Sequence, residues 1–402
     1  MALAFLMLWA PATEWNYPAD VDEAAERYAF AEMYIGADLQ SLSTFDGSGG
    51  PTTTVPRLWI GGSHFWGHAD FYVAFRLGPN LGSDDAECCT SLGIETGGKF
   101  FPWASRPGTV RPWIGAAWGP VSYERDSGPG ITRHTVHATG GVAGRIGAHA
   151  IELGVGWLPS AAGDYAVSPT ETVPLDLSSF SASARYKFHF DTTAAIVSEV
   201  ASDRLAADLA RLESAGALSS WYVSGGGTST IALGGTAAGA PEFDFVGRAP
   251  SSIGIEVAAG WYDHDWDAGA QISWRPMSTS TVAYGAGRRW DRDAYTVEAY
   301  SFLGDYQGFA PFVGLGLGFN DLSFFEQDEN GDQTRAFSGW QTRPELLFGW
   351  DIRPTRLTSW ILRTALRVSP FLELEDGDNR ASFRHLEFNF IQLVIYPARL
   401  FS

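Results

Sequence analysis

Hydrophobic and polar positions alternate along most of this chain, most cleanly in a stretch that occurs twice. In Arg111–Gly119, RPWIGAAWG, Pro112, Ile114, Ala116 and Trp118 share one parity, and Trp113, Gly115, Ala117 and Gly119 the other. In Ala310–Gly318, APFVGLGLG, Pro311, Val313, Leu315 and Leu317 oppose Phe312, Gly314, Gly316 and Gly318. A period of two belongs to a β-strand, whose successive side chains point to opposite faces. One face of each copy is apolar. Beyond its first aromatic the other is almost wholly glycine, and no charge follows Arg111 in either run. The pattern fits a strand with one face to lipid and the other lining a closed barrel.

Similar runs, separated by Gly, Pro, Asp and Ser clusters, predict eight strands in the first half: 29–40, 55–64, 69–78, 92–101, 110–121, 132–144, 149–158 and 180–190. The connectors 41–54, 79–91, 122–131 and 159–179 are long and rich in Gly, Pro, Ser, Thr and acid; 65–68, 102–109 and 145–148 are shorter. Outer-membrane barrels have this asymmetry, with short periplasmic turns and long outer loops. With a periplasmic N-terminus, the long connectors all fall outside.

Residues 191–250 break the pattern. Thr193–Ala217 sets Val197, Ala201, Leu205, Leu209 and Leu212 at helical spacing, with Glu199, Asp203, Arg204, Asp208 and Arg211 elsewhere around the wheel. This predicts an amphipathic helix too charged to span a membrane. Ser219–Gly247, rich in Gly, Ala, Ser and Thr, reads as a linker. The helix reads as a periplasmic spacer, with a plug or a docking surface for a periplasmic partner at 193–217 as the alternative.

The alternation then resumes, predicting eight more strands: 251–261, 266–275, 280–290, 294–303, 309–320, 335–352, 357–369 and 385–396. In 266–275, Trp266, Ala268, Ala270, Ile272 and Trp274 oppose Asp267, Gly269, Gln271, Ser273 and Arg275. The two tryptophans are eight residues apart. That is ~26 Å along the strand at ~3.3 Å per residue, or ~20 Å along the membrane normal, close to the ~25 Å apolar band between aromatic girdles. A sandwich strand with one wet face would look similar in isolation; the repetition argues against it.

Composition narrows the class. Aromatics are 14% of the 402 residues, with 46 glycines, while charged residues are only 18%. Mean hydropathy is −0.07, and no window offers the ~20 consecutive apolar residues of a spanning helix. The net charge of −19 argues against nucleic acid as a partner. Acid concentrates in Ser83–Glu87, Glu326–Asp332 and Glu373–Asp378, as suits exposed loops. Met1–Ala12 is apolar and ends in an A-x-A pattern, which reads as a signal peptide over 1–12, although no basic residue precedes Arg27. Cys88 and Cys89 are adjacent, suited to a vicinal or intermolecular disulfide and poorly to zinc; no role is assigned to them.

Each half resembles the eight-stranded outer-membrane barrels of the OmpA-like or OmpW-like kind. The resemblance covers residues 28–190 and 250–401. It rests on strand number, loop asymmetry and the P-[WF]-[IV]-G-x-x-x-G centre after an aromatic turn. It also rests on aromatic endings at SFSASARYKFHF (179–190) and EFNFIQLVIY (387–396). It implies a porin-like internal repeat, 28–190 and 251–402 around a linker at 191–250, in the outer membrane of a Gram-negative-type cell with membrane lipid as its first partner.

Eight strands close a barrel that side chains just fill, whereas sixteen leave a channel. The two aromatic endings and the linker suit two barrels. A single sixteen-stranded wall is the commoner architecture, and the reading leans to it: an all-β, transmembrane antiparallel barrel of about 16 strands from two 8-strand repeats. Its pore-lining candidates are Glu256, Asp267, Gln271, Arg275, Arg289 and Glu298. Inward charges would need pairing in a small barrel and could be hydrated in a large one.

Candidate chemistry is sparse. His134 and His137 enter a strand from the outer side with Thr135 and Thr139 nearby. The His-x-Thr of His137 and Thr139 is loosely like the His-x-Ser of outer-membrane deacylases; the plainer reading is ordinary rim histidines. An enzyme would need a Ser or Thr within hydrogen-bond reach of a rim histidine, with His137 and His385 the first to test. His264, in Asp263-His-Asp265, fits an oriented imidazole or simply a turn. Asp328–Asp332 alternates oxygen ligands but lacks the Gly and Glu of a calcium loop at Gln333 and Gly339. No nucleophile elbow, phosphate loop or zinc spacing occurs. The sequence therefore assigns no catalytic residue, metal or cofactor. It points to a passive pore for small solutes or a structural surface protein, with a lipid-modifying enzyme or an adhesion barrel as alternatives.

Overall fold

The computed structural model of the chain describes residues 30–44, 53–64, 67–77, 89–92, 94–103, 108–124, 131–159, 162–176, 178–191, 199–233, 245–246, 251–304, 309–353, 356–377 and 379–402. The signal-peptide expectation at 1–12 and Cys88 lie outside the described residues.

The first half forms β1 (Phe30–Thr44), β2 (Thr53–His64), β3 (Ala69–Arg76), β4 (Cys89–Leu92), β5 (Glu95–Phe100), β6 (Val110–Glu124), β7 (Ile131–Ile146), β8 (His149–Leu158), β9 (Ala162–Ser168), β10 (Glu171–Asp176) and β11 (Ser179–Asp191). Each of the eight strands expected here is present. They pair in the cyclic order β1-β2-β3-β5-β6-β7-β8-β11, and β11 returns to β1 with Tyr34 opposite His189. At the loop end β4 extends β6, and β9–β10 form a hairpin of their own.

The second half forms α1 (Glu199–Ser214), β12 (Ser220–Ala232), β13 (Ser251–Asp263), β14 (Ala268–Ala283), β15 (Ala286–Phe302), β16 (Phe309–Gln327), β17 (Gln333–Ile352), β18 (Trp360–Ser369), β19 (Glu373–Asp376), β20 (Asn379–Ser382), β21 (His385–Ile395) and α2 (Pro397–Leu400). Here β12-β13-β14-β15-β16-β17-β18-β21 is a closed barrel, with β21 pairing back to β12. The expectation of one sixteen-stranded wall therefore fails: each half closes on itself.

The cause lies in the stretch read as a linker. SWYVSGGGTSTIA (220–232) looks structureless because glycine, serine and threonine fill it. Yet Trp221 and Val223 point outward while Tyr222, Ser224 and Thr228 are buried, and the strand supplies the wall that lets β21 close. The second barrel thus starts at Ser220, not at 251. Its glycines serve close approach: a Cβ on Gly226 would stand 2.4 Å from the Ile391 carbonyl oxygen.

A second error offsets the first in the strand count. The runs 266–275, 280–290 and 294–303 are only two strands, β14 and β15, joined at Tyr284-Gly285 with φ of 50° and 87°. Both central residues in the left-handed region mark a type I′ hairpin turn, which favours Asn or Gly at its first central position; tyrosine there hides it. The count stays at eight, and β6 and β16, which carry the repeated motif, are each the fifth wall strand.

Parity holds in both copies. Ile114 is 69% exposed and Leu315 64%, while Trp113 and Phe312 are buried inside. On the second barrel Trp221 lies opposite Trp261 toward the end where the chain enters and leaves, the terminal end. Toward the loop end Trp274 pairs with Tyr295 and Tyr295 with Phe319, and Trp340 stacks on Tyr295 at 6.3 Å. The residues between these two aromatic belts are mostly Val, Leu, Ile and Ala. Beyond the upper belt the outward positions turn polar at Asp293 and Asp321, which face each other.

Helix α1 ends at Ser214, before the expected Ala217, and the 193–198 part of the expectation lies outside the described residues. It ends in a Schellman motif: Gly216 at φ 63° donates to the Glu213 carbonyl at 3.0 Å, and Ala217 to the Leu212 carbonyl at 2.8 Å. Leu212 and Ala217 then bury with Leu357 of the β17–β18 connection, and Arg211 donates to the Ser402 carbonyl at 2.7 Å. The last turn of α1 is docked on the terminal end of the second barrel.

Candidate functional site

The barrel lumens hold most of the buried polar chemistry. In the second barrel they are layered. At the terminal end Tyr222, Tyr262, Tyr300, Phe302, Phe312 and Tyr396 form an aromatic floor. Toward the loop end Trp290, Phe324, Phe337, Leu372, Leu374 and Phe383 form an apolar ceiling, partly from β19–β20 folded inward. Glutamates and arginines lie between. Arg367 grips Glu256 with two bonds of 2.8 and 2.9 Å and reaches Glu298 at 2.5 Å. Arg275 bridges Glu345 at 2.5 Å and Glu387 at 3.0 Å. Arg292 donates to Glu387 at 2.6 Å and contacts His385, whose Nδ1 donates to the Phe383 carbonyl at 2.7 Å. Below them Arg363 clasps Asp351 at 2.7 and 2.9 Å.

Four of the sequence candidates meet here. Glu256, Gln271, Arg275 and Glu298 face inward and are buried, and Gln271 bonds Glu298. Their charges are paired, as a small barrel requires. Two candidates do not face the lumen. Arg289 is on the outward parity of β15 and pairs with Asp291 at 2.8 Å; splitting that strand in the reading left its parity free. Asp267 precedes β14, in a turn at φ 43°, and takes bonds from Tyr262 at 2.8 Å and Arg356 at 2.8 Å.

Among the described residues of the first lumen, four buried acids, Asp38, Asp70, Glu95 and Glu152, lie among the bases Arg57, Lys99, Arg185 and Lys187, with Arg111 and Arg145 also buried. Asp38 binds Arg57 at 2.7 Å and Arg185 at 3.3 Å; Glu152 binds Lys99 at 2.5 Å, Arg185 at 2.6 Å and Lys187 at 2.5 Å. Asp70 takes Lys187 at 2.6 Å and the Tyr34 hydroxyl at 2.5 Å. The guanidinium of Arg185 lies 3.2 Å from the Trp59 ring centroid, a cation–π contact shielded from water.

The fourth acid, Glu95, shares Arg57 with Asp38 and carries the network on to a histidine. It takes the Tyr72 hydroxyl at 3.1 Å and lies 3.3 Å from Arg57. On its other side is His137, with Nδ1 at 3.6 Å from Glu95 Oε2 and Nε2 at 2.8 Å from Thr135 Oγ1. The sheet register brings these together. Thr96 pairs with Trp118, so Glu95 and Gly119 come next in line, and Gly119 pairs with Thr135. A Cβ on Gly119 would press on Glu95 Cα at 3.3 Å. The last glycine of the repeated motif thus lets β6 lie close against the β5 backbone at Glu95. His137 is held by Thr135, two residues before it, and not by Thr139. Sequence reading saw the histidine and threonine but not Glu95, which joins only through the register.

The other candidates resolve plainly. Asp263 Oδ1 accepts the Asp265 and Trp266 amides at 3.1 and 3.0 Å, so the Asp-His-Asp tripeptide is a turn. Asp328 Oδ1 accepts the amides of Asn330 and Asp332, both at 2.9 Å, tying the β16–β17 turn. Among the described residues no group of three or more His, Cys, Asp or Glu could hold a metal ion.

No family model and no curated protein matches this sequence. Solved structures similar to the chain include Neisserial surface protein A, at 15% identity over 44% of this chain and 98% of that one, with a TM-score of 0.30. The attachment invasion locus protein of Yersinia pestis, solved with a heparin analogue, has 11% identity over 44% and 96%, TM-score 0.29. The β domain of the Bordetella autotransporter BrkA has 10% identity over 91% and 99%, TM-score 0.23. All three are outer-membrane barrels at low similarity, and the architecture rests on the strand pairing itself. By that pairing, with apolar outward faces and closed eight-stranded rings, this chain has the fold of outer-membrane β-barrel proteins.

Proposed function

We propose that this chain is an outer-membrane protein anchored by two closed eight-stranded barrels, and that it acts at its surfaces without conducting solutes. One observation carries the reading: buried side chains occupy the second lumen at its floor, its middle and its ceiling. Its arginines and glutamates bind each other between an aromatic floor and an apolar ceiling, and Glu256, Gln271, Arg275 and Glu298 are 0–4% exposed. An eight-stranded ring has an interior that side chains just fill, so paired charge there supports the wall rather than a solute path. The acidic loops and the outer ends of β15–β17 are then the surface presented to the outside, with lipid around the apolar belts.

The test is electrical. The purified, refolded chain in a planar bilayer should give no stable ohmic steps of the size an open porin gives, and its liposomes should not swell in small sugars. Regular large steps, abolished by antibody against the chain, would overturn the reading. Fractionation with the outer membrane and a heat-dependent gel shift are expected alongside.

A further inference from the structure

Beyond the anchoring role, we propose that Thr135, His137 and Glu95 form a nucleophilic site in the mouth of the first barrel that cleaves carboxylic esters entering from the loop side. The three groups are in line: Thr135 Oγ1 2.8 Å from His137 Nε2, and His137 Nδ1 3.6 Å from Glu95 Oε2. Hydroxyl, imidazole and carboxylate in that order are the parts of an activated nucleophile, its base and the group that orients the base.

Its place in the fold suits this use. Thr135 is the most exposed of the three at 9%, and lies nearest the loop end of β7. On the outer wall at this level, Trp118 pairs with Val136 and Trp157 with Ala138, so the site stands at the height of outward tryptophans. Arg57 and Tyr72 together hold the Glu95 carboxylate toward His137.

The step balances with water alone. Thr135 Oγ1 attacks the ester carbonyl carbon as its proton passes to His137 Nε2. The C–O bond to the alcohol breaks, and the alcohol leaves with that proton. Water then gives a proton to His137 and attacks the acyl-Thr135, releasing the acid and restoring the hydroxyl. Glu95 is a positioning residue, holding the imidazole with Nε2 toward Thr135.

The test uses the full refolded chain, a fluorophosphonate reagent and p-nitrophenyl butyrate. The expected result is an adduct on the peptide carrying Thr135, and hydrolysis that falls about 10³-fold or more in Thr135→Val and in His137→Gln. Thr135→Ser should restore labelling, and Glu95→Gln should lower kcat more than KM. The heat-dependent gel shift, kept in each variant, establishes that the barrels have closed. A folded Thr135→Val that hydrolyses at the parent rate, or a folded parent with no adduct on Thr135, overturns the proposal. Neither outcome bears on conductance.

Discussion

Arg367 and Glu256 meet across the second lumen as a parallel pair, Nη1 to Oε2 at 2.9 Å and Nη2 to Oε1 at 2.8 Å. This is the bidentate geometry in which guanidinium and carboxylate bind most tightly. Both are buried, so removing one strands the other. Arg367→Met is expected to lower the stability of the refolded protein by about 3–5 kcal/mol, read as a shift in the urea midpoint. The double variant Arg367→Met with Glu256→Gln should lose less than the two single losses added together. An unchanged midpoint in Arg367→Met would mean the lumen is wet enough to solvate Glu256.

The outward belts make a depth-dependent prediction. Ile272 lies between the aromatic belts on β14 and is 62% exposed, whereas Ser278 lies on the same parity beyond Trp274. Arginine near the middle of the apolar band costs about 2–4 kcal/mol and near its edge about 0–1. Ile272→Arg should therefore unfold at clearly lower urea in phospholipid vesicles, and Ser278→Arg close to the parent. Equal effects would place β14 outside a bilayer.

Arg399 gathers the terminal end of the second barrel. Its guanidinium donates to the carbonyls of Ala217 at 3.3 Å, Leu218 at 2.6 Å, Arg356 at 2.7 Å and Thr358 at 3.2 Å. Burial lowers its pKa from the ordinary arginine value, yet an arginine stays charged at any working pH. A lysine ammonium cannot fan over four carbonyls in a plane. In Arg399→Lys, amide hydrogen exchange should quicken in the 217–220 and 356–360 segments while β14–β16 keep their protection. Unchanged exchange at those segments would count against the latch.

How far the sequence carried is visible in particular residues. The period of two marked every wall strand of the first half and the inward parity of Gln271 and Arg275. It failed at β12, where Gly225, Gly226 and Gly227 erase the amplitude that alternation needs. It failed again at Tyr284, whose left-handed backbone no side-chain pattern announces. Arg289 was misplaced because a false break reset its parity. His137 and a nearby threonine were legible, but the His-x-Thr pattern pointed to Thr139, whereas the imidazole bonds Thr135. Glu95 was not legible, because only the β5–β6–β7 register carries it there.

A steric prediction tests the seam at β12. Gly226→Val should block approach to β21, since even a Cβ would lie 2.4 Å from the Ile391 carbonyl oxygen. The heat-modifiable form of the second barrel should be lost or greatly reduced. Recovery of the full gel shift would show that the seam can spread.

The two seams, Tyr34 facing His189 and Ser224 facing Val394, also govern assembly. An unpaired strand edge within a bilayer leaves a row of amides and carbonyls without water. A sixteen-stranded wall would leave the edge of β1 open until the last strand had been threaded. Here β1 is covered as soon as Ser179–Asp191 has entered, with the rest of the chain still outside. Loop-closure entropy grows only slowly with length, by ~0.6 kcal/mol per doubling, so the saving is in exposure time rather than in free energy. Insertion becomes two short events in sequence, and a stalled second half would still leave a sealed first ring.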